Sequence, residues 1–188
     1  MAFWTDAAGT DARDPKRQYR FIAEFGVGDC SWMVKNVSKP SLSLSEASHE
    51  YLNHTFYYPG RASWNSISCT LVDPVSPDAA ATMLSIIRDA GYKPPATTSD
   101  LGTVSKKGSI NALGHVRIRQ IDAEGVAIEE WVLQNAWLKS VDLSGLDYGG
   151  DSLSEVTIEI RYDFASLEIH GIGVGSSIAE NAGLFKVQ

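Results

Sequence analysis

The sequence predicts a mainly β protein in which two antiparallel sheets pack as a sandwich or barrel, with one flanking α-helix. Three observations support this fold class. Apolar residues recur with a period of two in most segments, as expected for strands that bury one face. Clusters of Gly, Pro, Asp and Asn separate roughly eight such segments. A single stretch, 77–90, carries apolar residues at helical spacing, so one helix should lie beside the sheets.

Length and composition are those of an ordinary globular domain. The chain has 188 residues, of which 44% are hydrophobic and 21% charged, enough for one domain with its own core. The net charge of −7 argues against a protein that grips nucleic acid, because such proteins carry a basic surplus. No apolar run has the length of a membrane span, so we expect no membrane partner. Cys30 and Cys69 should be buried thiols rather than a disulfide.

The chain divides into a β domain with an arm at each end. Residues 1–16 are polar and should form a flexible N-terminal arm, residues 17–170 the β domain, and residues 171–188 a C-terminal arm. Alternation predicts a first strand at 17–25 and a second at 30–37, and the turn between them would join the two as a hairpin.

A second hairpin is predicted next. Its strands would be 41–47 and 50–58, with a polar turn near 46–49, and Pro59-Gly60 would end it. Because the returning strand is also aromatic, this ribbon suits a wall between water and a core. Small polar side chains would form one of its rows: Ser41, Ser43, Ser45, Asn53 and Thr55.

The predicted helix follows a strand at 63–72. Ser76 should be its N-cap and Pro77 its first residue, and the helix should stop at Gly91. The stretch 92–109 is rich in Pro, Ser and Thr, so it should be a long polar loop.

The later strands are the most regular. One is predicted at 113–121. The runs 129–134 and 136–143 suggest one long strand that is kinked near Asn135. The run 153–162 alternates cleanly, which is typical of a half-buried strand in a long hairpin. Its apolar row consists of Val156, Ile158, Ile160 and Tyr162.

No catalytic, cofactor or metal site is predicted. Gly171, Gly173 and Gly175 suggest a phosphate-binding loop, but the dinucleotide fingerprint needs a further Gly or Ala at 176 and a βαβ unit, so a flexible hinge is the better interpretation. No two histidines have the spacing of metal ligands, and no nucleophile elbow occurs. We therefore expect a protein that is not an enzyme.

Arg117 and Arg119 form a basic row on one face of the strand at 113–121. They could touch phosphate, or they could pair with Glu129 across a hairpin. We favour pairing, because opposite charges across a ladder stabilise it.

Many half-polar strands without a reactive cluster favour an assembly subunit over an enzyme. Such strands leave exposed edges, which are liabilities in a monomer. Pairing with a neighbouring copy would remove the unpaired backbone groups.

An ordered set of motifs supports this view. In chain order they are Arg20-Phe21-Ile22, Lys35 to Pro40, Gly60-Arg61, Trp64, the flanking helix, Asn135-Ala136-Trp137, LDY at 146–148 and IRYD at 160–163. The set resembles the phage tail tube protein family, which builds the inner tube of contractile tails. The match covers about residues 16–168.

The resemblance implies a surface for self-assembly. Copies would form hexameric rings, in which the hairpins at 41–58 and 113–134 join into one barrel around a lumen, and the rings would stack. The residues implied at the lumen or between subunits are Ser41, Ser43, Ser45, Asn53, Thr55, Arg117, Arg119 and Glu129. The residues implied in ring stacking are Glu46, His49, Thr97, Asp100 and Gly173.

The function implied by the resemblance is structural. The tube would lie inside a contractile sheath and conduct viral DNA into the host. The implied partners are further copies of the chain, the sheath protein, baseplate or tube-initiator and tail terminator proteins, the tape measure protein and viral DNA. The protein would belong to the virion and be assembled in the host bacterial cytoplasm.

Two alternatives remain open. The inner tube of a type VI secretion system, or of another phage-like contractile injection system, shares the implied fold. In a different class, a monomeric carbohydrate-binding β-sandwich could use the tyrosines of 51–58 as a binding platform.

Overall fold

The structure is a computed structural model that describes residues 15–26, 30–96 and 102–169. Over these residues the chain forms ten β-strands and two α-helices. The strands are β1 (Phe21–Phe25), β2 (Val34–Val37), β3 (Leu42–Tyr51), β4 (His54–Trp64), β5 (Ile67–Val72), β6 (Val116–Ile121), β7 (Ala127–Gln134), β8 (Trp137–Leu143), β9 (Glu155–Arg161) and β10 (Phe164–Ile169). The helices are α1 (Ala79–Asp89) and α2 (Lys106–Leu113). Most of the predicted N-terminal arm and all of the C-terminal arm lie outside the described residues.

The strands form two antiparallel sheets and a separate hairpin. Sheet 1 has the order β1-β6-β7-β10, and sheet 2 has the order β2-β5-β9-β8. Within the described part of the chain, β3 pairs with β4 alone. The prediction of a mainly β fold with packed antiparallel sheets is confirmed, but the prediction of a single helix is wrong.

The core lies between the two sheets. Because side chains alternate along a strand, each sheet turns one apolar row inward. Sheet 2 contributes Ile67, Cys69, Leu71, Val156, Ile158 and Ile160, and sheet 1 contributes Ala23, Phe25, Val116, Ile118, Leu133 and Ala165. Helix α1 adds Met83 and Ile86 and α2 adds Leu113, and both helices pack beside β8. Cys30 and Cys69 are buried thiols that form no disulfide, as predicted, and burial raises the pKa of Cys69 to about 12.

The first two predicted strands do not form a hairpin. β1 pairs with β6 in sheet 1, whereas β2 pairs with β5 in sheet 2. The predicted strand at 30–37 is also shorter, because Ser31–Met33 form a 3-10 turn before β2. Alternation shows which side of a strand is apolar, but it does not identify the neighbouring strand.

Helix α1 begins later than predicted. Its N-cap is Asp78, not Ser76, and the Asp78 carboxylate accepts a hydrogen bond of 2.8 Å from the Ala81 backbone N–H. The Asp73 carboxylate accepts a second one, of 3.0 Å, from the Ala79 N–H. Two aspartates therefore satisfy the free N–H groups of the first turn, and Pro77 precedes the helix instead of opening it.

Helix α2 occupies the end of the predicted loop 92–109 and the start of the predicted strand at 113–121. The Ser105 hydroxyl caps it by accepting from the Gly108 N–H at 3.1 Å. It ends at Gly114, where φ is +72° and a Cβ would lie 2.9 Å from the Gly26 Cα. Only glycine fits both the left-handed backbone and this close approach.

The chain crosses between the sheets twice at the same place. β7 in sheet 1 passes to β8 in sheet 2 through Asn135, whose φ is +56°. β9 in sheet 2 returns to β10 in sheet 1 through Asp163, whose N–H donates to the Gln134 carbonyl at 3.0 Å. The predicted kink near Asn135 is therefore a break between strands of different sheets. Asn135 Nδ2 donates to the Asp163 carboxylate at 2.8 Å, and this contact joins the two crossings.

We predict that Asn135→Ala lowers the free energy of unfolding by about 1 kcal/mol more than Asn135→Gly does. Both variants lose the hydrogen bond to Asp163, but only the alanine variant carries the strain of a left-handed backbone. The glycine variant is destabilised by the greater conformational freedom of its unfolded chain, which offsets part of this difference. Urea unfolding of the two variants measures the difference. Equal stability would show that backbone conformation at this crossing is not limiting.

Candidate assembly interface

The hairpin β3–β4 projects from the body of the protein. Every residue from 41 to 63 is exposed. The turn lies at Leu52-Asn53, where Leu52 has a φ of +52°, and not near 46–49 as predicted. Pro59-Gly60 does not end the hairpin either, because β4 continues to Trp64. The result is a ribbon of ten and eleven residues that is longer than predicted.

A bulge on β4 lets the ribbon continue past Pro59. The register moves from Leu44 opposite Ala62 to Glu46 opposite Pro59, which leaves two β4 residues opposite Ser45. The Ser45 hydroxyl accepts from the Arg61 N–H at 2.8 Å. At the other bulge residue, Gly60, a Cβ would lie 2.3 Å from the Ser45 hydroxyl. Glycine is therefore required where the ladder is widened.

The register assigns the predicted polar residues of the hairpin to different places. Ser43 lies opposite Ser63, so Ser43, Ser45 and Ser63 share one face, which we call the serine face. Thr55 lies opposite Glu50 on the other face, with Leu42 and Leu44. Asn53 is in the turn, and Ser41 precedes β3. The alternation of residues in the sequence did not predict these positions, because the position of the turn and the presence of the bulge were both unknown.

Apolar side chains make the hairpin an unusual surface for a monomer. The exposed fractions of five of them lie between 49% and 87%. These five are Tyr51, Leu52, Phe56, Tyr57 and Tyr58. An isolated two-stranded ribbon is marginally stable in water, and exposed apolar patches of this kind mark interaction sites.

The solvent face of sheet 1 carries paired charges. Arg117 Nε lies 3.9 Å from the Glu130 carboxylate, and Arg119 forms an ion pair with Glu24 on β1. The predicted pairing of these arginines with carboxylates is therefore found, but the partners differ from the predicted Glu129. Residues 129 and 130 face opposite sides of β7, and only Glu130 shares the arginine face.

Glu129 lies on the inner face of sheet 1, where it is 7% exposed. Its carboxylate accepts from Lys16 Nζ at 2.5 Å, from Lys39 Nζ at 2.7 Å and from Trp131 Nε1 at 2.5 Å. Burial alone would raise the pKa of Glu129, but these donors outweigh burial and lower it to about 2. The sequence offers no local signal for this cluster, because the two lysines are 113 and 90 residues away along the chain.

The other residues predicted at interfaces are only partly described. Glu46 and His49 lie within β3, opposite Pro59 and Phe56, and both are exposed. Thr97, Asp100 and Gly173 lie outside the described residues. Their roles in ring stacking stay predictions.

Both sheets have edges that no other described strand pairs with. In the described ranges, β1 and β10 pair on one side only in sheet 1, and so do β2 and β8 in sheet 2. No group of three His, Cys, Asp or Glu residues there could hold a metal ion. No helix in the same ranges is long and apolar enough to cross a membrane.

Solved structures with this fold include chains of the anti-feeding prophage and of an extracellular contractile injection system. A chain of the tube-terminating cap of the anti-feeding prophage is 18% identical, with a TM-score of 0.63 over 90% of this chain and 99% of its own. A chain of the sheath–tube complex of the extracellular contractile injection system PVC, in its extended state, is 16% identical, with a TM-score of 0.60 over 82% of this chain and 92% of its own. A chain of the anti-feeding prophage baseplate is 14% identical, with a TM-score of 0.58 over 82% and 95%.

These likenesses confirm the tail-tube fold that the motifs predicted. No protein-family model matches the sequence, and no curated protein matches it.

We predict that Glu129→Gln lowers the free energy of unfolding by roughly 1–3 kcal/mol at pH 7. Because the folded-state pKa of about 2 is below the ordinary value of 4.5, the carboxylate stabilises the fold fully above pH 4.5 and loses this effect as the pH falls toward 2. The difference in stability between wild type and variant should therefore narrow over that interval. Urea unfolding at pH 7, 4.5 and 3 measures it.

The matched control is Glu155→Gln, which removes a more exposed carboxylate that is bonded to Lys35. It should change stability by less than about 1 kcal/mol. A constant wild-type advantage over Glu129→Gln from pH 7 to pH 3 would contradict the role given to the carboxylate charge.

Proposed function

We propose that this chain is a structural, non-enzymatic subunit of a phage tail tube. Its copies form hexameric rings, and the rings stack into a hollow tube that lies inside a contractile sheath and conducts viral DNA into the host. The observation that carries the proposal is the hairpin β3–β4, which is exposed from 41 to 63 and bears apolar side chains on a ribbon whose two edges pair with no other described strand. The fold shared with components of contractile injection particles supports it.

The edges of sheet 1 suggest how a ring closes. β6 and β7 are interior strands of the sheet, whereas β1 and β10 each have an edge that no other described strand pairs with, so β10 of one copy can pair with β1 of the next. Six such sheets make a barrel of roughly 24 strands, more than the 16–18 strands that already enclose a water-filled channel in porins. Closure satisfies backbone groups that a single copy leaves unpaired.

The solvent face of sheet 1 then lines the lumen. It carries Arg117 and Arg119, each beside a glutamate, so it presents paired charges rather than a basic track. The serine face of the hairpin, with Ser43 and Ser45, extends this wall. A face without surplus positive charge on a chain of net charge −7 lets DNA pass without holding it.

The partners follow from the position of such a tube. They are further copies of the chain in the ring and along the stack, the sheath protein outside, baseplate or tube-initiator and terminator proteins at the two ends, and the tape measure protein and DNA inside. The particle is a virion assembled in the host bacterial cytoplasm.

A second candidate is the inner tube of an extracellular contractile injection system. The similarity in fold to a chain of the PVC sheath–tube complex favours it, because that particle is named as an extracellular contractile injection system. The two candidates share rings and tubes but differ in cargo. Neighbouring genes for capsid proteins would support the phage tube, and neighbouring genes for effectors would support the injection system.

We predict that Tyr57→Asp abolishes assembly but leaves the subunit folded. Tyr57 is exposed on the face of the ribbon opposite the serine face, so a charge there costs the subunit little, whereas burying it between copies costs several kcal/mol. Size-exclusion chromatography and negative-stain microscopy should show rings or tubes for wild type and a monomer for the variant. Circular dichroism should show the same melting temperature for both.

The matched control is Leu146→Asp, which places the same charge on an exposed apolar residue outside the hairpin. It should assemble as wild type does. A wild-type protein that stays monomeric at every concentration would contradict the proposal, and binding of a glycan array by that monomer would support the carbohydrate-binding alternative.

A further inference from the structure

The projecting hairpin is the outer half of one longer ribbon. Its inner half is the pair β2–β5 of sheet 2, in which Val37 lies opposite Cys69. The ladder continues through hydrogen bonds of 2.9 Å from the Ser38 N–H to the Ser68 carbonyl and from the Asn65 N–H to the Ser41 carbonyl. Between the two halves lies Lys39-Pro40. Proline offers no N–H to a ladder, so the ribbon is weakest at this point.

The root of the ribbon is the segment where β3 and β4 leave the two-sheet body. On one side, contacts near sheet 2 hold this root. The rings of Trp64 and Tyr162 lie 6.0 Å apart, tilted by 56°, and Trp64 packs against the core. Asn65 Nδ2 also donates to the Ser41 hydroxyl at 3.0 Å. These contacts fix where the ribbon leaves the body, and they all lie close together.

On the other side, Lys39 joins the root to sheet 1. Lys39 Nζ donates to the Glu129 carboxylate and to the Gln120 side-chain oxygen, each at 2.7 Å. Gln120 and Glu129 lie directly opposite each other on β6 and β7, so the ladder of sheet 1 sets the spacing of the two acceptors. The ammonium group is therefore held at a fixed point on the opposite sheet.

The Glu129 side chain is itself immobilised. It is buried, Lys16 binds its second oxygen, and the Trp131 indole N–H donates to the same oxygen that Lys39 uses. A buried acceptor with three donors has one orientation available. The groove between the sheets beside it is lined by Phe21, Val34 and Trp131, and no other described ion pair crosses the groove from the ribbon root to sheet 1.

We propose that Glu129 is a positioning residue for the projecting hairpin: through Lys39 it fixes the direction in which β3 and β4 leave the two-sheet body. This contact is important because a small rotation at the root produces a large displacement at the tip of the hairpin. A strand of ten residues is about 33 Å long, so a pivot of about 10° at the root moves the tip by about 6 Å. Neighbouring copies could not meet a tip that moves this far. The consequence for assembly rests on the proposed function, but the positioning itself does not.

The test measures the direction of the hairpin directly. Spin labels are placed at Ser48→Cys on β3 and Ser140→Cys on β8, both exposed, while the native cysteines are buried. Pulsed electron resonance then gives the distribution of label distances in protein kept monomeric by dilution. Lys39→Met and Glu129→Gln should each broaden the distribution at least twofold, and the double variant should broaden it no further, because the two groups act as one contact.

Lys35→Met is the matched control. Lys35 lies four residues before Lys39 in the sequence and also pairs with a glutamate, but its partner Glu155 belongs to sheet 2, so the pair does not join the ribbon to the opposite sheet. Its distribution should stay as narrow as that of wild type. Lys39→Arg, which keeps the charge and the donors, should restore most of the narrow distribution.

A second measurement guards against misfolding. The indole N–H signal of Trp131 in nitrogen–proton correlation spectra should shift in Glu129→Gln and keep a single sharp position, which shows a folded sheet 1 with an altered acceptor. Lys39 is half exposed, so Lys39→Met should fold in any case. An unchanged distance distribution in Lys39→Met would overturn the proposal whatever happens to assembly. Broad distributions with normal tubes would uphold the positioning and overturn only the role of the hairpin in assembly.

Discussion

The apolar contact between the inner faces of sheets 1 and 2 is the interaction on which the rest of the structure depends. The apolar side chains of the two inner faces are almost completely buried, and helices α1 and α2 cover this core beside β8. Burial of this kind supplies most of the free energy that folds a domain. The hairpin β3–β4 takes almost no part in it, since Trp64 alone among its residues packs against the core. The body can therefore fold by itself, whereas the hairpin depends on its root and on whatever covers its surface.

Sequence periodicity predicted the inward rows because burial on one face is a local property. β9 is the clearest case: Val156, Ile158 and Ile160 were expected inside and are 0–1% exposed. Strand partners could not be predicted in the same way, because pairing depends on contacts between distant parts of the chain. β1 therefore pairs with β6, about 95 residues later, and not with the next strand. Helix α2 was missed because it is short and has no continuous apolar stripe.

In the candidate interface, too, local features could be predicted from the sequence and contacts between distant segments could not. The polar, aromatic ribbon could be found from its composition, but its turn at Leu52-Asn53 has no glycine and its bulge depends on a contact with Ser45. Arg117 and Arg119 were expected to pair with Glu129, but Arg117 lies beside Glu130 and Arg119 pairs with Glu24. The cluster around Glu129 could not be predicted, because its lysines come from segments that meet β7 only after the sheets have packed. Charge, unlike apolar periodicity, leaves no regular pattern in a sequence.

The paired crossings at Asn135 and Asp163 have a mechanical consequence. At that end of β7 two covalent backbones join the sheets, and a short hydrogen bond ties them together. Toward the other end, beside Glu129, the described ties from β7 to the segments across the groove are ion pairs. A pull that separates the sheets therefore meets stiff covalent resistance at one end and a softer, salt-sensitive resistance at the other. Under load the two sheets would separate first at the root of the hairpin and would stay joined at Asn135.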